Sequence, residues 1–264
     1  MNTILQMQKV CLTYHTTKNE TEAIKDLSVE CYEGELLGIV GPSGCGKTTI
    51  LSLLSGILTP SSGQVFIDGK RADPHSGLTG YMLQKDELLP WRSILSNVLI
   101  GLEIKKRKTQ QKVEYAQELL KKYNLYEFKD FYPNQLSGGM KQRVALIRTL
   151  VLEPKLLLLD EPFSALDFQT RLNVVEDVYS ILRSEGKSAV FVTHDISEAI
   201  SMCDRVVILS NRPSTVKEVV DLSPLKGYTP LRRRELPMFS EYFDKIWSNM
   251  QTTKEKRSNE TQAT

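Results

Sequence analysis

Hydrophobic and polar residues alternate in three segments of the first third of the chain, at residues 4–14, 23–32 and 64–70. Alternation with a period of two predicts half-buried strands. Residues 35–40 instead form a short apolar run that ends at a glycine-rich turn, which predicts a parallel strand buried on both faces. Beyond the turn, residues 48–58 carry apolar side chains at helical spacing, until a proline–serine–glycine segment stops the pattern.

The rest of the chain alternates between helical stretches and short apolar runs. Residues 93–132 are helical in pattern and strongly charged, whereas residues 155–160, 188–193 and 205–209 predict three more buried strands. Strands that alternate with helices imply a parallel sheet flanked by helices. The polar segment 251–264 is predicted to be disordered, because it offers little apolar surface to bury.

Composition narrows the class of protein. The 264 residues carry a formal charge of +2, with 41% hydrophobic and 25% charged residues, so no strong overall field attracts nucleic acid or anionic lipid. The four cysteines lack a C-x-x-C spacing, which argues against a zinc site and a disulfide framework. No secretory signal is visible, and no apolar run approaches the roughly 18–20 residues that cross a bilayer. We therefore expect any membrane role to depend on docking to another chain.

A basic run at residues 105–108 interrupts the helical middle segment. We interpret it as a solvated loop between helices. Contact with lipid headgroups or with a partner is the alternative.

A phosphate-binding loop is predicted at residues 41–48, which fit the pattern G-x-x-x-x-G-K-[ST] between a predicted strand and a predicted helix. Glycines let backbone N–H groups turn around phosphate oxygens, and the helix start adds its positive dipole end. Lys47 is expected to reach the β- and γ-phosphates, and the Thr48 hydroxyl to bind Mg²⁺. A glycine-rich turn with an incidental lysine is the alternative. The residues assigned to the nucleotide here are Gly41, Pro42, Ser43, Gly44, Cys45, Gly46, Lys47, Thr48 and Thr49.

Two of these nine residues need a comment. Thr49 is expected to supply a hydroxyl to the α-phosphate. Cys45 is expected to contribute its backbone alone, although the neighbouring Lys47 and the helix start could lower the pKa of its thiol and make it open to alkylation.

Two acids end the apolar run at residues 156–159, and the carboxyl ends of parallel strands are where ligands bind in such sheets. Asp160 is predicted to hold the Mg²⁺ shell. Glu161 is predicted to orient and deprotonate the attacking water. A capping pair at a strand end is the alternative interpretation.

Two further polar residues follow predicted strands and are expected at the same edge. His194 comes after residues 188–193 and would lie beside the γ-phosphate. Gln84 comes after residues 80–83 and could bind Mg²⁺ or water through its amide. A purely structural role is the alternative for both side chains.

Together these residues resemble the ABC transporter ATP-binding family. Residues 136–143 (LSGGMKQR) resemble the family's signature, and residues 164–167 (SALD) resemble its D-loop. Gln84 matches the Q-loop and His194 the switch histidine, while Tyr14 is similar to the aromatic residue that stacks on adenine. The resemblance covers roughly residues 4–220.

The resemblance implies an α/β fold: a P-loop NTPase core with an antiparallel β lobe and a helical signature lobe. The ABC ATPase domain would occupy residues 1–222, with the helical lobe at about 85–150 and a C-terminal helical extension at 223–250. It also implies two copies, head to tail, with two ATP molecules between them and Mg²⁺ at each site. The residues expected to reach the other copy's ATP are Ser137, Gly138, Gly139 and Asp167.

The start of the signature helix supports this view on physical grounds. Ser137 and the two glycines offer a hydroxyl, bare N–H groups and a positive dipole end. Ser137 alone would suffice for the alternative, an ordinary N-cap, so the two glycines favour phosphate binding.

Other segments resemble the importer branch for nitrate, sulfonates and taurine, namely residues 84–91, 211–213 and 231–250. This branch implies a separate membrane permease, an extracytoplasmic solute-binding protein, and a peripheral position on the cytoplasmic face of the membrane. A detached exporter subunit is the first alternative. A soluble ABC ATPase acting on nucleic acid is disfavoured by the single cassette and the absence of heptad runs. A regulatory protein that no longer hydrolyses ATP is disfavoured by Glu161 and His194.

Overall fold

Two β-sheets organise the fold. The computed structural model describes residues 2–15 and 19–261, and for residues 252–261 it describes the backbone alone. The strands of the described chain are β1 (Thr3–His15), β2 (Glu20–Tyr32), β3 (Leu36–Val40), β4 (Ser62–Ile67), β5 (Lys70–Arg71), β6 (Thr79–Met82), β7 (Leu156–Asp160), β8 (Ser188–Val192), β9 (Arg205–Leu209) and β10 (Val216–Asp221).

Helices cover both faces of the larger sheet and extend beyond it. In chain order they are α1 (Lys47–Leu54), α2 (Ile94–Ile104), α3 (Gln110–Lys122), α4 (Gly138–Leu150), α5 (Phe168–Ser184), α6 (Ile196–Met202), α7 (Pro230–Glu235) and α8 (Pro237–Thr261). No helix within residues 2–15 and 19–261 combines the length and the apolarity that a membrane crossing requires.

The central sheet has the strand order β10-β9-β3-β8-β7-β6, and only its edge strand β10 runs antiparallel to its neighbour. The prediction of a mainly parallel sheet is confirmed. Because β3, β8 and β7 are adjacent and parallel, the loops that follow them meet at one edge, where such sheets bind ligands.

The period of two along these strands divides the interior into two cores. Leu37 and Ile39 of β3 face a core shared with α1 and the antiparallel sheet, in which the order is β2-β1-β4-β5. Leu36 and Val40 face a second core shared with helices α2–α6. Both faces of the central strands are therefore covered, which explains why their sequences are continuously apolar.

Helix α1 ends at Leu54, earlier than the predicted end at residue 58. Gly56 takes a left-handed conformation with φ of 76°, and a Cβ at this position would lie 2.7 Å from the backbone nitrogen of Asp73. The chain therefore leaves the helix at a glycine that the neighbouring segment requires, and the apolar spacing alone does not reveal this stop.

The C-terminal segment packs against the second core. Leu225 and Ile246 are fully buried there. Helix α8 extends to Thr261, into the segment 251–264 for which disorder stays a prediction, and residues 262–264 lie outside the described residues. A helix satisfies its backbone groups internally and needs no core, so a polar composition does not exclude it.

Candidate functional site

The loop between β3 and α1 is shaped by glycines in conformations that other residues avoid. Gly44 and Gly46 have φ of 74° and 107°, and the Cys45 N–H donates to the Pro42 carbonyl at 3.2 Å. Gly46 precedes α1 without any side-chain cap on the helix. The first N–H groups of α1 are thus left for a ligand, and such a helix start favours an anion.

Lys47 supplies a positive charge inside this loop. Its side chain is buried, and its Nζ donates to the carbonyls of Gly41 at 2.9 Å and Pro42 at 3.1 Å. The ammonium group is therefore held beside the loop by the loop's own carbonyls. A cavity of about 520 Å³ opens here, lined by Ser43, Gly44, Gly46, Lys47, Thr48, Thr49, Glu161, His194 and Arg212.

The structure contradicts the alternative considered for Cys45, a thiol with a lowered pKa. Its side chain is buried, and burial raises the pKa of the thiol more than the Lys47 charge lowers it. The low-pKa interpretation is therefore wrong for this residue, because desolvation outweighs the neighbouring cation.

Asp160 ends β7 in a buried position, and burial raises the pKa of its carboxyl, while hydrogen bonds with Tyr81 and Thr48 act in the opposite direction. The Tyr81 hydroxyl donates to Asp160 Oδ2 at 3.0 Å. A desolvated carboxylate beside the Thr48 hydroxyl is an oxygen donor set that suits Mg²⁺, so the residues present fit this ion.

Glu161 lies at the point where three loops meet. His194 Nδ1 is 3.0 Å from Glu161 Oε2, and Gln84 Nε2 is 3.4 Å from the same oxygen. Gln84 Nε2 also donates to Ser164 Oγ at 3.2 Å. The backbone of Glu161 has φ of 44°, a conformation that costs energy in a non-glycine residue, and its N–H donates to the Val192 carbonyl at 2.8 Å.

This arrangement fixes a carboxylate over the cavity. The three side chains predicted to take part in hydrolysis, Gln84, Glu161 and His194, are brought together as expected. Gln84, however, donates through its amide to Glu161 and Ser164, and no hydrogen bond joins it to Asp160 or Thr48 among the described residues. Its assignment as a metal ligand stays a prediction.

The backbone segment that carries His194 is held by a hydrogen bond to the buried Glu198. Thr193 Oγ1 donates to Glu198 Oε2 at 2.8 Å and accepts from the Asp195 N–H at 3.0 Å. Burial raises the pKa of Glu198 to about 7. The backbone on both sides of His194 is therefore held by hydrogen bonds that leave the imidazole, which is 60% exposed, free to face the cavity.

Tyr14 lies at the end of β1, next to the phosphate loop. Its hydroxyl is 3.2 Å from Thr49 Oγ1, and the residue is 39% exposed. A ring that is partly open to solvent beside the first turn of α1 can accept a stacked base. This role stays a prediction.

The four residues predicted to act on a second copy lie apart from this cavity, and none of them lines it. Ser137 is exposed and accepts a hydrogen bond from the Met140 N–H at 3.3 Å, so it caps α4. Asp167 similarly caps α5 by accepting from the Thr170 N–H at 3.1 Å. These hydrogen bonds lower the pKa of Asp167.

The packing of α4 against α5 requires a glycine at position 139, which sequence reasoning missed. A Cβ on this residue would lie 2.7 Å from Val174 Cγ2 on α5, whereas Gly138 is exposed and would meet only Leu166 Cδ2, at 3.0 Å. Close helix packing is thus a further reason for a glycine at position 139, and the role of both glycines in phosphate binding stays a prediction.

Residues 24–164, more than half of the chain, match the ABC transporter family. The chain belongs to this family. It is 42% identical to the uncharacterized ABC transporter ATP-binding protein YtlC of Bacillus subtilis (strain 168), over 97% of this chain and 98% of that protein. It is 41% identical to the taurine import ATP-binding protein TauB of Yersinia pestis bv. Antiqua (strain Antiqua), over 76% of this chain and 79% of that protein.

A solved ABC cassette has the same fold. The dimeric structure of a post-hydrolysis state of the ATP-binding cassette MJ0796 bound to ADP and Pi is similar, with a TM-score of 0.69 and 30% identity over 85% of this chain and 100% of that chain. The predicted P-loop core with an antiparallel β lobe and a helical lobe is confirmed. The chain is an ATP-binding cassette with ATPase activity.

The sequence pattern assigned no role in the nucleotide site to three residues that the structure places there. Tyr81 contacts Asp160, Ser164 contacts Gln84, and Arg212 lines the cavity. Tyr81 lies on β6, directly before the Gln84 segment, and Ser164 belongs to the predicted D-loop, so the sequence already indicated that both lie near the site. Arg212 lies far from the phosphate loop in sequence, and its position depends on how β9 and β10 pack.

Proposed function

We propose that two copies of this ABC cassette associate head to tail and bind two ATP molecules between them, and that this closure energises uptake of a small solute through a separate permease. Two observations support this proposal. The cavity that suits an anion is lined by Lys47 and Glu161, whereas Ser137, at the start of α4, is exposed and does not line that cavity. A second copy would bring that helix start to the phosphates. The similar MJ0796 cassette is dimeric.

Hydrolysis would proceed by attack of water on the γ-phosphorus. Glu161 takes a proton from the water while the water oxygen bonds to the γ-phosphorus. The bond between this phosphorus and the β–γ bridging oxygen breaks, which leaves ADP and phosphate. His194 and Gln84 hold the Glu161 carboxylate in place, as their 3.0 Å and 3.4 Å contacts with Oε2 support. Lys47 stabilises the negative charge on the leaving side.

Thr48 and Asp160 would hold Mg²⁺, with Gln84 as a further candidate ligand. When bound, Mg²⁺ would neutralise charge on the β- and γ-phosphate oxygens. Asp160 would reach it through water, and the Tyr81 hydroxyl fixes the orientation of that carboxylate at 3.0 Å.

The membrane partner would contact the segment at residues 84–91. Arg148 holds this segment by donating to the carbonyls of Glu87 at 2.7 Å and Asp86 at 2.6 Å, and the buried Asn97 donates to the Leu89 carbonyl at 3.1 Å. Trp91 is left 72% exposed on this fixed support. Because Leu88 belongs to the core, the apolar contact falls to Trp91 and its surface neighbours.

The transported solute would be taurine, another sulfonate, nitrate or a vitamin precursor. Among these, taurine is supported by the similarity to TauB, a taurine import protein. A solute-binding protein outside the membrane would deliver it to the permease, and this chain would lie on the cytoplasmic face as a peripheral subunit. An exporter role is not favoured by this relative.

Co-purification with membrane chains tests the proposal. The chain is expressed with its native membrane fraction, and ATPase activity is measured with and without the captured membrane partner. We expect ATPase activity that depends on Lys47, and we expect the chain to capture a permease. Trp91→Ala should lose this capture while its basal ATPase activity stays unchanged. Capture of a permease by Trp91→Ala at the wild-type level would contradict the docking assignment. Purified chain that neither binds ATP nor associates with a membrane protein would contradict the whole function.

A further inference from the structure

A turn that carries an arginine and is separate from the phosphate loop contacts the outer side of that loop. Arg212 lies between β9 and β10, and its Nη2 donates to the Gly44 carbonyl at 2.9 Å. The same side chain lines the cavity with Lys47, Glu161 and His194. A guanidinium group thus reaches the rim of the cavity from a different part of the fold than the loop itself.

The turn is fixed in this position by neighbours on several sides. Ser214 is fully buried, and its hydroxyl donates to the Cys45 carbonyl of the phosphate loop. The Ser214 N–H donates to the Ala23 carbonyl at 2.9 Å, and its own carbonyl accepts from the Lys25 N–H at 3.0 Å. Arg212 is therefore presented by backbone that is joined both to β2 and to the phosphate loop.

The hydrogen bonds within the turn add to this support. The Ser210 hydroxyl accepts from the Thr215 N–H at 2.9 Å and donates to the Asn211 carbonyl at 2.9 Å. The two ends of the turn are thereby closed on each other. Such a closed turn limits the region that the Arg212 side chain can sample, and keeps it near Gly44.

The charge of Arg212 is left available to a ligand. Among the residues whose side chains are described, no carboxylate lies within 4.0 Å of its guanidinium nitrogens. A guanidinium carries five N–H donors, and the Gly44 carbonyl accepts from one nitrogen. The remaining donors suit a phosphate, because Arg recognises this group through two parallel hydrogen bonds.

We propose that Arg212 is a second cationic residue of the nucleotide site, one that binds the terminal phosphate of ATP from the outer side of the phosphate loop. Lys47 and Arg212 then flank the polyphosphate from two directions. The inference rests on the proposed nucleotide site. It assigns to Arg212 a preference for ATP over ADP, since the cavity that it lines also contains Glu161 and His194.

A structural role, support of the Gly44 carbonyl, is the competing explanation. Arg212→Gln separates the two, because a glutamine amide can still donate to that carbonyl but carries no charge. Arg212→Lys keeps the charge and loses the planar fork. Arg71→Gln is the matched control, since Arg71 is exposed on β5 and lies outside the cavity.

Calorimetric titration with ATP, ADP and AMP, without turnover, gives the readout. We expect Arg212→Gln to weaken ATP binding roughly tenfold and ADP binding less than about threefold, because one charge-assisted contact at an exposed rim is lost. Arg212→Lys should recover most of the ATP affinity, and Arg71→Gln should match wild type.

Two results would overturn the inference. Unchanged ATP affinity in Arg212→Gln would remove the phosphate contact, and an equal loss for ATP, ADP and AMP would assign Arg212 to support of the loop. Both results require wild-type protein that binds ATP. Failure of the wild type to bind ATP would instead defeat the proposed function.

Discussion

The chain contains two glycine-rich helix starts that look alike in sequence but differ in structure. Helix α1 begins after Gly46 with no side-chain cap, next to the buried Lys47 and a cavity. Helix α4 begins after Ser137, whose hydroxyl already accepts a hydrogen bond from Met140. The first is prepared to receive an anion from solution. The second offers an exposed, capped surface, and we propose that a second copy brings the anion to it.

The largest effect is expected from Glu161→Gln, which tests whether the cavity at α1 is the place of hydrolysis. Loss of the proton acceptor should slow turnover by about 10²–10⁴-fold while ATP still binds. Measurements of phosphate release and of size by light scattering should show slow turnover and a dimer that persists with ATP. Glu241→Gln on the exposed face of α8 is the control. Normal turnover in the Glu161 variant would end this assignment.

A mixing experiment asks whether the two helix starts act in different molecules. Lys47→Ala should disable the cavity and Ser137→Arg should block the helix start, each lowering ATPase roughly 100-fold. In a mixed dimer, one site combines the intact Lys47 of one copy with the intact Ser137 of the other. Mixed dimers make up about half of an equal mixture and have one intact site of two, so the mixture should recover up to about a quarter of wild-type activity. Activity that stays at the level of the separate variants would mean that both halves serve the same molecule.

Tyr14→Ala tests the adenine side of the α1 site. If the ring stacks on the base, its removal should weaken nucleotide binding by about 1–3 kcal/mol. Tyr14→Phe keeps the ring and loses only the contact with Thr49, and should bind nearly as wild type does. An unchanged affinity of the alanine variant, measured by titration with ATP, would return Tyr14 to a purely structural role.

The smallest effect concerns the α4 start and separates its two glycines. Gly139→Ala should lower the free energy of unfolding by about 1–2 kcal/mol, because its Cβ would meet Val174 at 2.7 Å, a cost partly offset by helix propensity. Gly138→Ala should cost less, since its nearest atom is the end of the Leu166 side chain, at 3.0 Å. Denaturant unfolding of the nucleotide-free protein measures both, and equal values would contradict the packing explanation.

The sequence predicted well those features that depend on local pattern. Apolar runs located β3, β7 and β8. Glu161 lies one residue beyond β7 and His194 two residues beyond β8, and they meet as their strand ends required. A buried strand leaves little freedom for the residues at its carboxyl end, so the placement of those side chains follows from the topology.

Features that depend on distant parts of the chain could not be predicted in this way. The pKa of Cys45 rises because several elements bury it, although its sequence neighbour Lys47 indicates the opposite. The packing reason for Gly139 becomes visible only when α5 is placed against α4. Arg212 meets Gly44 across 168 residues of sequence. Each of these outcomes is set by packing between elements and leaves no local periodicity.

Arg233 shows what the C-terminal segment means for anyone who shortens this protein. The guanidinium is completely buried and donates to the carbonyls of Ile200 at 3.1 Å and Cys203 at 2.6 Å, at the end of α6. A chain truncated after β10 would leave these two acceptors without their donor and would uncover the apolar surface beneath Ile246. We therefore expect a stable ATPase to require α7 and the part of α8 that contains Ile246, and a tag or fusion to be tolerated better beyond that point.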